Sequence, residues 1–254
     1  MSHTISPSEA ITRRDYAWVP GRGSLTPELV RPASSEAQAW ARLPCRWILD
    51  GGLRLFRDEV AYRGRSAAAL KMLLTIALKA DQRATGLLAG ERVTALLSYE
   101  DLNRLSGLST ILISAGKKFL CGHGLVEVTH EGQGRRNRYF LGSSGRFEPQ
   151  ALIPCRHRIE PETWTRIEKL HDLSCTQLHD LNALKIYLIL CALDGGRDLS
   201  VALRPSIVSE LTNIAETKIP EALDNLARRS LVSMQPAVQG RDADLVRIKP
   251  LSLQ

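Results

Sequence analysis

Arg135, Arg136 and Arg138 flank a glycine-rich turn, Glu131 to Asn137, and Lys117 and Lys118 stand upstream of it. Guanidinium and ammonium groups gathered beside a turn bind phosphate oxygens by charge-assisted hydrogen bonds, and the turn lets long side chains follow an anionic backbone. Thr110, Ser114, Lys117 and Lys118 recur at helical spacing, which sets hydroxyls and cations on one stretch of helix surface behind a capping Ser109. Taken singly, each is an ordinary solvated side chain. Together Ser109, Thr110, Ser114, Lys117, Lys118, Arg135, Arg136 and Arg138 form the candidate site, and its chemistry is recognition of a polyanion.

Other constellations are weaker. His171, Cys175 and His179 sit four apart, with Cys155 and His157 upstream, a spacing that imitates a zinc set if 170–180 is helical. Cys155 matches Cys45, however, and Cys45 has no histidine beside it, so both read as small buried hydrophobes. Cys121-Gly122-His123 lacks further ligands. The chain has no phosphate-binding Gly-x-x-x-x-Gly-Lys-Ser/Thr loop, no Gly-x-Ser-x-Gly elbow and no distinctive carboxylate pair. No metal, no cofactor and no enzymatic activity are expected.

The elements that must position the cations follow from local signals. An apolar helix is expected over 66–81, followed by a polar connection over 82–97 with an apolar end. Ser98 caps a short helix over 99–105, and Asp101 lies near its positive end. Gly107 supplies a tight turn, and Ser109 caps a third helix over 110–122 that Gly122 and Gly124 stop. Residues 125–129 alternate like a half-buried strand, and 138–141 return as a second. Helix, short helix, turn, helix and β-hairpin is the order of a winged helix-turn-helix, whose third helix enters the DNA major groove while the hairpin lies along the backbone.

The chain contains this unit twice. Leu43-Pro44-Cys45-Arg46 recurs as Ile153-Pro154-Cys155-Arg156, and Ala69-Leu70-Lys71 recurs as Ala183-Leu184-Lys185. At a shift of 106, Leu102, Leu105, Leu108, Ile113, Leu120, Leu125 and Val126 fall on Val208, Leu211, Ile214, Ile219, Leu226, Leu231 and Val232. The expected fold is therefore mainly α with small β-hairpins, an α+β chain of two tandem winged helix-turn-helix domains. Their ranges are 43–145 and 146–254, behind a flexible arm over 1–42 that carries four prolines.

The copies differ where DNA would lie. Residues 60–145 hold 12 basic and 6 acidic side chains, and residues 170–254 hold 9 and 10. Thr110, Ser114, Lys117 and Lys118 become Glu216, Pro220, Leu223 and Asp224; Arg136 and Arg138 become Asp242 and Asp244. Carboxylates repel phosphates and forfeit counterion release. Pro220 is tolerated only in a first helical turn, which moves the second recognition helix to a start near Thr217. The first copy is expected to bind double-stranded DNA and the second to self-associate as a homo-oligomer such as a dimer, with Arg228, Arg229 and Arg241 as its remaining route to DNA.

The 254 residues suffice for two domains, and the formal charge of +7 agrees with an anionic partner. The apolar runs are too short to span a bilayer, no secretory signal opens the chain, and five cysteines do not read as a disulfide framework. A cytoplasmic protein with no membrane partner is expected. In Leu43-Pro44, Ala69-Leu70-Lys71, residues 98–109 and Gly124-Leu125-Val126 the chain resembles the tandem winged-helix DNA-binding proteins of plasmids and other mobile elements, replication initiators among them. The resemblance covers both copies and implies the fold more sharply than the role. Three readings stay open: a transcription regulator occupying an operator, a replication initiator binding repeated origin sites, and an assembly scaffold that binds protein. The arginine-rich wing favours the first two.

Overall fold

Leu43-Pro44 and its counterpart Ile153-Pro154 lie on neighbouring antiparallel strands of one sheet. The computed structural model describes residues 38–80, 93–130, 136–142, 149–157, 166–194, 200–235 and 244–253. The first repeat runs β1 (Gln38–Pro44), α1 (Arg46–Leu49), a 3-10 turn (Gly52–Leu55), α2 (Val60–Lys79), β2 (Val93–Ser98), α3 (Tyr99–Ser106), α4 (Thr110–Gly122), β3 (Val126–His130) and β4 (Arg136–Leu141). The second runs β5 (Gln150–His157), α5 (Glu168–Asp172), α6 (Leu178–Asp194), β6 (Ser200–Leu203), α7 (Pro205–Thr212), a 3-10 turn (Glu216–Lys218), α8 (Ile219–Arg228), β7 (Val232–Gln235), β8 (Asp244–Ile248) and β9 (Leu251–Leu253). The fold is mixed α and β, with helices packed on small sheets whose pairs are antiparallel except for β5 and β9.

Two helices without a polar face make the centre. α2 buries every residue from Ser66 to Leu78, and α6 every residue from Asp180 to Ala192. Each buried Leu, Ile or Met contributes roughly 1.5–3 kcal/mol. Each helix also carries one buried lysine at the repeated Ala-Leu-Lys position. Lys71 Nζ donates to the Leu173 carbonyl at 2.9 Å, and Lys185 Nζ to the Thr212 carbonyl at 3.2 Å. Burial lowers both: Lys71 against the opposing pull of Cys175, Asp180 and Asp172, and Lys185, to about 8, against that of Asp58 and Glu59.

The repeat holds in register. One sheet runs β2-β4-β3 and another β6-β8-β7, both antiparallel. Thr94 opposite Phe140 becomes Ser200 opposite Arg247, and Val126 opposite Leu141 becomes Val232 opposite Ile248. The second hairpin thus has one more residue between paired positions, which corrects the wing alignment expected above: Asp244, opposite Leu203, answers to Asn137 opposite Leu97, and Arg138 answers to Leu245. Residues 35–254 form one unit containing both repeats. β1 and β5 pair antiparallel, and β9 joins β5 in parallel.

Several elements depart from expectation. β1 begins at Gln38, so residues 38–42, assigned above to the arm, belong to a strand that pairs with the second repeat; residues 1–37 lie outside the described set. The first central helix starts at Val60 instead of 66, because a solvent-facing first turn tolerates Ala61, Tyr62 and Arg63. The apolar end of the 82–97 connection is strand β2, formed by its pairing with β4. Residues 170–180 span the end of α5, a non-helical link over 173–177 that holds Cys175, and the start of α6, so His171, Cys175 and His179 do not share a helix face. Among the described residues no three His, Cys, Asp or Glu side chains gather as a metal set, and no helix is long and apolar enough to cross a membrane.

Candidate nucleic-acid interface

Local capping sets the angle between α3 and α4. The Ser98 hydroxyl accepts the Asp101 N–H at 3.0 Å while the Asp101 carboxylate accepts the Ser98 N–H at 3.0 Å, a reciprocal capping box. Partial burial works against the Asp101 carboxylate, yet the Ser98 hydrogen bonds, with Arg104 and Arg136 nearby, hold it below its ordinary range. Gly107 ends α3 at φ 70° and its N–H donates to Asn103 O at 2.8 Å. Asn213 does the same for α7 at φ 61°, donating to Ser209 O at 2.8 Å, since asparagine also tolerates the left-handed region.

The second repeat braces this turn. His171 Nε2 lies 2.8 Å from Arg104 O, and the Ile167 N–H donates to Leu105 O at 3.0 Å, so two carbonyls at the end of α3 are satisfied from across the chain. A Cβ at Gly107 would stand 2.8 Å from His171 Nδ1. His171, weighed above as a possible metal ligand, is a positioning residue for the helix pair. Its spacing gave no sign of that, because the partner carbonyl is 67 residues away.

α4 packs through Ile113, Gly116, Phe119 and Leu120. Gly116 is required there: a Cβ would come within 2.9 Å of Met72 Sδ and 3.2 Å of Ala69 N on α2. Thr110, Ile111, Ser114 and Lys118 are exposed on the opposite side. Ser109 caps the helix, its hydroxyl accepting the Leu112 N–H at 3.4 Å. Lys117 is half-buried, with Nζ 5.2 Å from the Tyr99 ring centroid, a cation–π contact that ties α4 to α3.

In the hairpin Asn137, Tyr139 and Leu141 turn inward, so Arg136 and Arg138 share the other face of β4. Arg136 is exposed opposite Ser98; Arg138 is half-buried between Leu96 and Thr129. Arg135 lies outside the described residues. Seven of the eight candidate residues therefore fall on α4 with its cap and on β4, the two elements expected to carry them.

The second repeat presents other chemistry. A 3-10 turn over Glu216–Lys218 precedes α8, whose first turn holds Pro220, as the missing N–H requires. Glu216, Thr217, Glu221, Asp224 and Arg228 are exposed there, and Lys218 pairs with Glu221 at 3.5 Å. Arg229 does not face outward. Its guanidinium lies 2.9 Å from buried Asp180 and also donates to Asp172 O at 3.2 Å. Asn225 donates to the same Asp180 oxygen at 2.7 Å, and the Ser174 N–H to the other at 2.8 Å. Arg229 is thus removed from the possible DNA contacts of this copy, and Arg241 lies outside the described residues. No protein-family model, no curated protein and no solved structure matches the chain.

Proposed function

We propose that the chain is a sequence-specific double-stranded DNA-binding protein built as two tandem winged helix-turn-helix domains, and that it acts as a transcription regulator occupying an operator. In this reading α4 enters the major groove, and the hairpin β3–β4 lies along the backbone as a wing. The observation that carries the reading is the exposed face of α4 (Thr110, Ser114 and Lys118) followed by a strand that carries Arg136 and Arg138 on one face. Hydroxyls suit base edges and phosphates, and the cations suit phosphates.

The second repeat keeps the apolar frame but carries Glu216, Pro220 and Asp224 where the first carries Thr110, Ser114 and Lys118. It is the repeat that self-associates and holds the first in place. The test is a titration of the full chain against a mixed-sequence duplex at two salt concentrations. DNA binding through about five phosphate contacts gives log affinity falling with log salt at a slope near −4 to −5. A flat response, or no binding, removes the reading and leaves a scaffold that binds protein.

A further inference from the structure

Ile111 is 80% exposed, while Ile113, Phe119 and Leu120 of the same helix are buried. Exposure alone does not distinguish it from Val60, which is 83% exposed at the start of α2. Its setting does. Ile111, Ser114 and Lys118 are spaced i, i+3 and i+7, so the apolar side chain lies in line with a hydroxyl and a cation, and Thr110 stands beside it. A β-branched residue on an exposed helical turn gives the fold nothing: its propensity is below that of alanine and its apolar surface stays in water. The second repeat, whose outward face has turned acidic, has Thr217 at the matching position, in a 3-10 turn.

We infer that Ile111 is a specificity-determining residue that packs on the C5-methyl group of a thymine in the major groove, an assignment that rests on the DNA-binding reading above. The thymine methyl is the one apolar feature among the base edges of that groove, and an apolar side chain is what reads it. The hydroxyls of Thr110 and Ser114 flank Ile111 to bond neighbouring edges or phosphates, and Lys118 meets the backbone one turn further on. The ligand is a duplex carrying a thymine at one fixed position.

The experiment uses the full chain to enrich duplexes from a randomised pool. The enriched site is then resynthesised with deoxyuridine replacing each thymine in turn, and native chain and Ile111→Ala are titrated against the set. One replacement weakens the native chain about fourfold, the value of burying a single methyl group, and leaves Ile111→Ala unchanged. Thermal melting of Ile111→Ala matches or exceeds that of the native chain. An enriched site at which every deoxyuridine is silent overturns the assignment and leaves DNA binding standing, as does an Ile111→Ala chain with the native loss. If no duplex is enriched, the DNA-binding reading falls and the assignment falls with it.

Discussion

Arg42 stands directly opposite Leu152, the residue that occupies its own position in the other repeat. On either side of that pair the register is reciprocal, Leu43 facing Ala151 and Ala41 facing Ile153. The strands thus meet as they would in a two-fold dimer, with the same patch of each copy against the other. The exchange extends outward: α3 leans on α5 of the second repeat, and α7 on the 3-10 turn Gly52–Leu55 of the first. A pairing inside one chain needs no identical surfaces elsewhere, which frees the outward faces of α4 and α8 to differ.

Gly107 and His171 test the brace between repeats. Asn213 shows that asparagine is tolerated at this backbone conformation, so Gly107→Asn isolates the contact with His171. We expect a loss of about 1–3 kcal/mol in denaturant unfolding, the range for overpacking, and partial recovery in Gly107→Asn with His171→Ala. A double-mutant cycle showing additivity would mean that the two positions do not touch.

Arg228 and Arg229 are neighbours of one type with opposite fates. Arg229→Ala leaves Asp180 buried beside Asn225 without its cation, a change that costs about 3–5 kcal/mol. Arg228→Ala, at an exposed site, shifts stability by less than ~0.5 kcal/mol. Urea melts of the two variants check this, and equal midpoints would contradict the buried pair.

This contrast marks what the sequence can express. Ser98, Asp101, Gly107 and Ser109 act on their own backbone within a few residues, so α3, its turn and α4 are legible with bounds within one residue. The inward turn of Arg229 depends on Asp180, far along the chain, and no local pattern announces it. Val93–Ser98 likewise reads as the tail of a connection, since its strand character comes from pairing with Arg136–Leu141. Of the candidate site, the chemical asymmetry between repeats is visible by aligning them. The contact of Lys117 with Tyr99, and the separation of Arg136 and Arg138 into exposed and half-buried, are products of packing.

Lys185 makes stability depend on pH. Its folded value of about 8 lies below the ordinary 10.5, so between those values the unfolded chain binds more protons and stability rises with pH. Below about pH 8 both states are charged, and the full cost of burying the ammonium is present. Lys185→Met removes this dependence. The native chain should gain roughly 2–4 kcal/mol relative to Lys185→Met between pH 8 and 10.5. Paired denaturant melts measure the difference, which cancels the thiols and phenols titrating nearby; a constant difference would show that Lys185 is not desolvated.

The division of labour between repeats is tested on charge. Arg136 and Arg138 share one face of β4, and Lys118 lies on the exposed side of α4. Each phosphate contact removed reduces the salt slope by about 0.9. Arg136→Ala with Arg138→Ala should therefore weaken binding to every duplex and lower the slope by up to about 2, and adding Arg135→Ala should bring the reduction to about 3. Lys118→Ala should lower it by about 1 if it meets a phosphate; if it meets a base, the loss instead falls on one sequence position at about 1–3 kcal/mol. Arg228→Ala should leave the slope nearly unchanged, because Asp224 one turn away on α8 opposes its charge. Exposed charges far from the core shift stability by less than ~0.5 kcal/mol, so circular dichroism and melting should stay native for Arg136→Ala and Lys118→Ala. A slope reduction from Arg228→Ala as large as that from Arg136→Ala would make the second repeat an equal reader of DNA and overturn the asymmetry.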